Sequence, residues 1–244
     1  LLFLNSEGIS FEEQDENGDT ILMKLSRKGH FETIKALLNQ WRFLNINVTN
    51  NKGESCLYIA SENGYVLICS LLISNGAEVN EKYIEGNTCL LIASENGHES
   101  ICSLLISNGA DINQQNNNGI TSLYIASKNG YKSICELLLN KDAIVDKSNK
   151  IEASPLWIAS ENGYESICSL LISKGADVNK LNSKGMTPLY IASAKGHESV
   201  CNVLLNNGAL VNQSNNNGIT PLYVASAKGY ESVCCLLLNN GALV

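Results

Sequence analysis

An all-α solenoid of stacked helix pairs is the fold this sequence predicts, and three observations carry the prediction. Leu22, Leu57, Leu90, Leu123, Leu156, Leu189 and Leu222 follow one another at spacings of 35 and then five times 33 residues. The same text surrounds each of them, clearest as GMTPLYIASAKGHESVCNVLLNNGALVN from Gly185 to Asn212 and GITPLYVASAKGYESVCCLLLNNGALV from Gly218 to Val244. One such copy has apolar residues for two short helices but cannot bury their faces by itself, so the copies must stack.

Each element of the repeat has a local cause. Thr187 supplies an N-cap oxygen and Pro188 a first helical residue with no N–H to leave unsatisfied, so a first helix starts at Pro188 and turns Leu189, Ile191 and Ala192 inward. Gly196 stops it through the left-handed backbone that glycine tolerates. A second helix follows, with Glu198 at its positive end and Val200, Cys201, Val203, Leu204 and Leu205 at helical spacing, and Gly208 ends it. The next stretch, VNQSNNNG, is polar and Asn-rich and reads as an extended, hairpin-like loop.

This pattern, with T-P-L and the helix-ending glycines at fixed offsets, resembles the ankyrin repeat family over essentially the whole chain. The resemblance implies repeats at 15–49, 50–82, 83–115, 116–148, 149–181, 182–214 and 215–244, with residues 1–14 as the tail of a preceding partial repeat and two extra residues near Trp41. The first repeat departs most, with Ile21 in the Pro position, Leu25 in a small Ala position and Trp41 in place of the terminating Gly. In the fifth, Glu152 puts a side chain where the loop turn calls for Gly. Where the family carries His after T-P-L, this chain has Tyr58, Leu91, Tyr124, Trp157, Tyr190 and Tyr223, read as a stripe packed between repeats rather than a ladder of rings open to a partner.

Composition limits the function classes. The chain has 244 residues, 44% hydrophobic and 17% charged, with a formal charge of -7 at pH 7. That is ample core material, and no Lys/Arg cluster exists to neutralise phosphate, so no nucleic-acid partner is expected. No run approaches the roughly 20 apolar residues that span a bilayer, so no direct membrane insertion is expected either. The opening LLFLNSEG has no basic segment before its apolar residues and does not read as a signal peptide; starting on Leu, it reads as a piece of a longer chain. So many unpaired cysteines favour a reducing compartment, the cytoplasm with the nucleus as the other choice. As an isolated array the chain is expected to be monomeric.

The chemistry-bearing residues are tied to the repeat. Cys69, Cys102, Cys135, Cys168, Cys201 and Cys234 recur every 33 residues. Packed helices lie about 8–10 Å apart, too far for a disulfide or for thiolates sharing a zinc, so these read as small core hydrophobes. Cys56 and Cys89 stand at helix starts, where a thiol pKa can be lowered, but no basic partner is near in sequence. Cys235 falls on the outer side of the second helix. His30, His98 and His197 share one slot with Tyr65, Tyr131, Tyr164 and Tyr230, a whole repeat or more apart, which points to a role in the inter-helix turn. With no Ser/His/Asp set, phosphate loop or H-E-x-x-H motif, no catalytic residue, cofactor or metal site is expected, and the chain is read as not an enzyme.

Function therefore falls to the surface that the scaffold leaves free. In similar ankyrin proteins, partners lie along loop tips and the inner faces of first helices, which together form a concave groove. Carried over by position, the loop sites are Lys52 and Glu54, Glu85 and Asn87, Asn118 and Ile120, Ile151 and Ala153, Lys184 and Met186, and Asn217 and Ile219. The helix sites are Glu62 and Asn63, Glu95 and Asn96, Lys128 and Asn129, Glu161 and Asn162, Ala194 and Lys195, and Ala227 and Lys228. In order, the helix pairs run acidic, acidic, basic, acidic, basic, basic, a polarity that would orient an extended partner. Ile120, Met186 and Ile219 are apolar at positions expected to be wet, hence candidate anchors, unless they tuck against the neighbouring loop. The leading expectation is a non-catalytic module that binds another protein. The alternatives are a structural or elastic stack within a larger membrane-channel or cytoskeleton-linked protein, and a substrate-recruiting domain of a larger enzyme or effector.

Overall fold

Repeat by repeat, the sequence closes into helix pairs. The computed structural model describes residues 13–41 and 44–244. Most of the expected tail at 1–14 and residues 42–43 beside Trp41 lie outside the described residues. The chain divides into two bodies, Leu1–Asn117 and Asn118–Val244. The first holds α1 (Ile21–Lys28), α2 (Phe31–Gln40), α3 (Cys56–Glu62), α4 (Val66–Ser74), α5 (Cys89–Glu95) and α6 (Glu99–Ser107). The second holds α7 (Ser122–Asn129), α8 (Lys132–Leu139), α9 (Pro155–Glu161), α10 (Glu165–Ser173), α11 (Pro188–Lys195), α12 (Glu198–Asn206), α13 (Pro221–Ala227) and α14 (Glu231–Asn239). No strand occurs among the described residues.

Every first helix starts on a hydroxyl cap. Thr20, Ser55 and Thr88 accept from the N–H three residues on in the first body, and Thr121, Ser154, Thr187 and Thr220 do so in the second. Each cap satisfies one of the donors a helix start leaves free, about 1 kcal/mol apiece. Within each body, first helices pack on the first helices of the next repeat, and second helices pack likewise. The core is the inward set predicted from the repeat: Leu189, Ile191 and Ala192 of α11 and Val200, Cys201 and Leu204 of α12 are buried. Val203 and Leu205 are half-buried.

The thiol stripe lies inside, as expected, with one exception. Cys69, Cys102, Cys135, Cys168 and Cys201 are fully buried, and each meets a buried serine of its own repeat's first helix: Ser61, Ser94, Ser127, Ser160 and Ser193, at 3.5–3.7 Å. Ser94 and Ser160 donate their hydroxyl protons to the Leu90 and Leu156 carbonyls at 2.7 Å, which leaves their oxygens to accept from the thiols. In the first repeat Ile34 fills the cysteine slot, and the buried Ser26 Oγ has no partner. Cys234 departs from the core reading: on α14 it is only half-buried. Tyr223 departs from the packed stripe as well and is 65% exposed, whereas Tyr58, Leu91, Tyr124, Trp157 and Tyr190 are buried between repeats. Cys56 and Cys89, at helix starts with no basic partner, are not activated: burial pushes their thiols up to about 12. Cys235 is exposed.

Histidine has the structural role predicted for it. His98 Nε2–H donates to the Glu62 carbonyl, and His197 Nε2–H to the Glu161 carbonyl, both at 3.0 Å, tying each inter-helix turn to the preceding repeat. The ring lies directly on a glycine. Gly163 has φ +77°, and a Cβ there would come within 2.8 Å of His197 Nδ1; Gly175 has φ +88° but open space around it. Gly175→Ala is therefore expected to cost about 1 kcal/mol in backbone strain alone. Gly163→Ala adds about 1–3 kcal/mol of steric overlap. Equal urea midpoints for the two variants would remove the ring contact from this account.

An asparagine ladder ties loops to the next repeat. Asn47, Asn80, Asn179 and Asn212 each donate to the carbonyl of a glycine 29 residues on, at 2.8–3.1 Å, and accept from the N–H two residues beyond that glycine. Asp146 takes this slot in the fourth repeat. Its Oδ2 accepts from Asp177 N–H at 3.0 Å, but its buried Oδ1 has no partner. By position it stands where an amide would donate to the Gly175 carbonyl. Asp146→Asn is expected to raise stability by about 1–2 kcal/mol, since it supplies the missing donor and removes an unsatisfied acceptor. A urea midpoint at or below that of the parent chain would contradict this.

The fifth loop keeps its turn despite Glu152, which adopts φ 58° and donates its N–H to the Asn149 carbonyl at 2.9 Å. Asn149 Oδ1 accepts from Ile151 and Ala153 N–H, the same brace that Asn182 gives Lys184 and Met186. The brace, rather than the glycine, holds the turn.

Candidate protein-interaction surface

In the first body the loop and helix positions converge around Arg27. Its guanidinium lies 3.1 Å from Glu54 Oε2 and 3.5 Å from Asp19 Oδ2, while Asn50 Nδ2 donates to Asp19 Oδ1 at 2.7 Å and to Glu54 Oε2 at 2.9 Å. Glu54 is thus held within the protein, whereas Lys52 beside it is exposed. Glu62 and Glu95, at the ends of α3 and α5, are half-buried. Burial raises the Glu62 pKa, the nearby carboxylates of Glu54 and Glu95 raise it further, and Arg27 and Lys52 oppose the rise. Asn63 and Asn96 fold their amides back onto the Ile59 and Ile92 carbonyls.

In the second body the helix ends reach across repeat boundaries. Lys195 Nζ lies 3.5 Å from Glu161 Oε1, and Lys228 Nζ donates to the Ala194 carbonyl at 2.8 Å. The exposed Lys195–Glu161 pair contributes about 0–1 kcal/mol. Asn162 folds back onto Ile158 O; Asn129 is half-buried and Lys128 is exposed. Ile120, Met186 and Ile219 are half-buried rather than wet, packed against Tyr124, Ala153, Trp157, Ile158, Tyr190, Ile191 and Ala194. They do tuck in, yet keep part of their surface. Ala153 and Ala194 are buried, so neither offers surface to a partner.

In the second body one backbone bond joins each loop tip to the next, as from Lys150 N–H to Asn118 O at 3.0 Å and from Asn216 N–H to Lys184 O at 3.1 Å, and in the first body Asn51 N–H bonds Asn17 O and Asn117 N–H bonds Glu85 O. In the second body the tips and the first-helix ends accordingly form one braced face. The family described as Ankyrin repeats (3 copies) matches residues 1–83, 80–150 and 156–244. The chain belongs to the ankyrin repeat family. No curated protein matches it by sequence. Among solved structures, the crystal structure of the human ASB11 ankyrin repeat domain is similar, with 26% identity and a TM-score of 0.83, covering 93% of this chain and 100% of that one. The fold is an all-α repeat solenoid.

Ankyrin repeats are generally protein–protein interaction modules and typically non-catalytic. No helix among the described residues of this ankyrin chain is long and apolar enough to cross a membrane. Sequence reasoning missed two features of its surface. Arg27 stands 35 residues before Glu62 in the same slot, a signal the irregular first spacing obscured. Tyr83 replaces the bracing loop Asn, and its buried hydroxyl bonds Ser55 Oγ at 2.7 Å while its ring packs on Tyr58 with centroids 4.8 Å apart.

Proposed function

We propose that this chain is a non-catalytic interaction module that holds a protein partner against its loop tips and first helices. The observation that supports this is the braced face itself. Backbone bonds and Asn braces fix the loop tips, while Lys52, Asn63, Lys128, Asn162, Lys195 and Lys228 stand exposed beside them. Rigid backbone with exposed polar ends limits the ordering cost of binding. The nine free cysteines suit a reducing compartment, which agrees with a cytoplasmic location.

The test begins with a partner captured on the purified chain and then measured in a saturable binding assay. Charge reversal at Glu62, Glu95, Lys195 and Lys228, one at a time, is expected to weaken binding by about 2- to 10-fold where the partner crosses that position. If all four variants bind as tightly as the parent chain, the partner is held elsewhere and the assignment of this face is wrong.

A further inference from the structure

We infer that the face of the body Asn118–Val244 takes an acidic, extended peptide segment carrying aliphatic side chains. This rests on the interaction-module reading above and names the chemistry of its partner.

Charge argues first. The chain carries net charge -7, yet along the loop tips and first-helix ends of this body stand Lys128, Lys150, Lys184, Lys195 and Lys228, against Glu152 and Glu161. Lys195 is occupied with Glu161, and Lys228 with a carbonyl, but the side chains of Lys128, Lys150 and Lys184 are exposed. Of the other acids of this body, Glu165, Glu198 and Glu231 lie at the starts of second helices, Glu136 lies within α8, and Asp142, Asp146 and Asp177 follow second helices. A basic face on an acidic chain favours encounter with acidic segments and repels basic ones.

Apolar surface argues second. Ile120, Met186 and Ile219 pack on the ring-lined cluster of the first helices and stay half-buried, so each retains side-chain surface between the lysines. Spaced by whole repeats, they suit an extended segment better than a single deep side chain. In the same cluster Trp157 is only 6% exposed and its Nε1 donor has no partner. It is the sole side-chain nitrogen among the described residues in that condition, enclosed within the cluster.

The experiment titrates the full chain into a fluorescent peptide in which Glu and Leu alternate, with a Lys-for-Glu and a Ser-for-Leu peptide alongside. The Glu/Leu peptide is expected to bind at least about tenfold more tightly than either control, and to weaken as salt rises from roughly 0.05 to 0.5 M. Lys128→Glu with Lys184→Glu, both at exposed side chains, is expected to cost about tenfold or more, while circular dichroism stays unchanged. Equal affinity for the Glu/Leu and Lys/Leu peptides, or a double variant within twofold of the parent chain, would overturn the inference. The two readings separate on a captured protein partner. Loss of its binding on reversal at Glu62 and Glu95, with Lys128→Glu and Lys184→Glu silent, leaves the module standing and removes the acidic-peptide inference.

Discussion

Leu171→Ala is expected to lower stability by about 2–5 kcal/mol, and Leu238→Ala, on α14, by about 0.5 kcal/mol or less. Leu171 is fully buried on α10, which packs at once on its own first helix α9 and on α8 and α12 of the flanking repeats. Its equivalents Leu72, Leu105, Leu138, Leu204 and Leu237 are buried to the same degree. Collapse around the void is blocked because each flanking helix is held by its own repeat's caps and Ser–Cys contact. Leu238 is 45% exposed and leaves no comparable cavity. In a repeat array, an interior defect also weakens coupling between its neighbours, so the denaturation curve should broaden as well as shift. Urea unfolding followed by circular dichroism checks both effects; a loss below about 1 kcal/mol for Leu171→Ala would mean that the interior repacks.

How much of this was legible beforehand follows from the range of each interaction. The helix pair could be read because its causes are local: Thr187 caps α11 by bonding the Tyr190 N–H three residues away, and Gly196 ends it. The inward thiols could be read because a period of 33 is a statement about packing. What escaped depends on contacts between repeats, where one side chain changes the outcome without changing the period. Tyr83 in place of a bracing Asn, Asp146 in place of a bridging Asn, and Arg27 reaching Glu54 are all substitutions at known slots whose partners lie about 27–31 residues away. The candidate surface was legible as a set of positions, not as a pattern of occupancy. Nothing in the string distinguishes Lys128, exposed, from Lys195, engaged with Glu161. Nor does it separate Ile120, half-buried, from Ala153, sealed in.

Alkaline pH should unfold this chain before it affects an ordinary helical protein. Burial pushes the thiols of Cys69, Cys102, Cys135, Cys168 and Cys201 up to about 11, and those of Cys56 and Cys89 up to about 12, from an ordinary value of 9.0. Above pH 9 the unfolded chain releases these protons while the folded chain keeps them, so the folded state binds more protons and stability falls as pH rises. The contribution is complete below pH 9 and is lost progressively toward about pH 11 to 12. Each thiol accounts for roughly 1 kcal/mol per pH unit in that window. Several acting together approach the 5–15 kcal/mol that holds a typical domain. The urea midpoint is therefore expected to stay level from about pH 7 to 8.5 and to drop steeply between about pH 9.5 and 10.5. Cys102→Val with Cys168→Val should flatten the slope by roughly 2 kcal/mol per pH unit, because Ser94 and Ser160 keep their bonds to the Leu90 and Leu156 carbonyls and no thiol remains to ionise there. An unchanged alkaline slope in that double variant would mean that other groups, such as Tyr58 and Tyr124 raised to about 12, govern the transition and that the buried thiols do not.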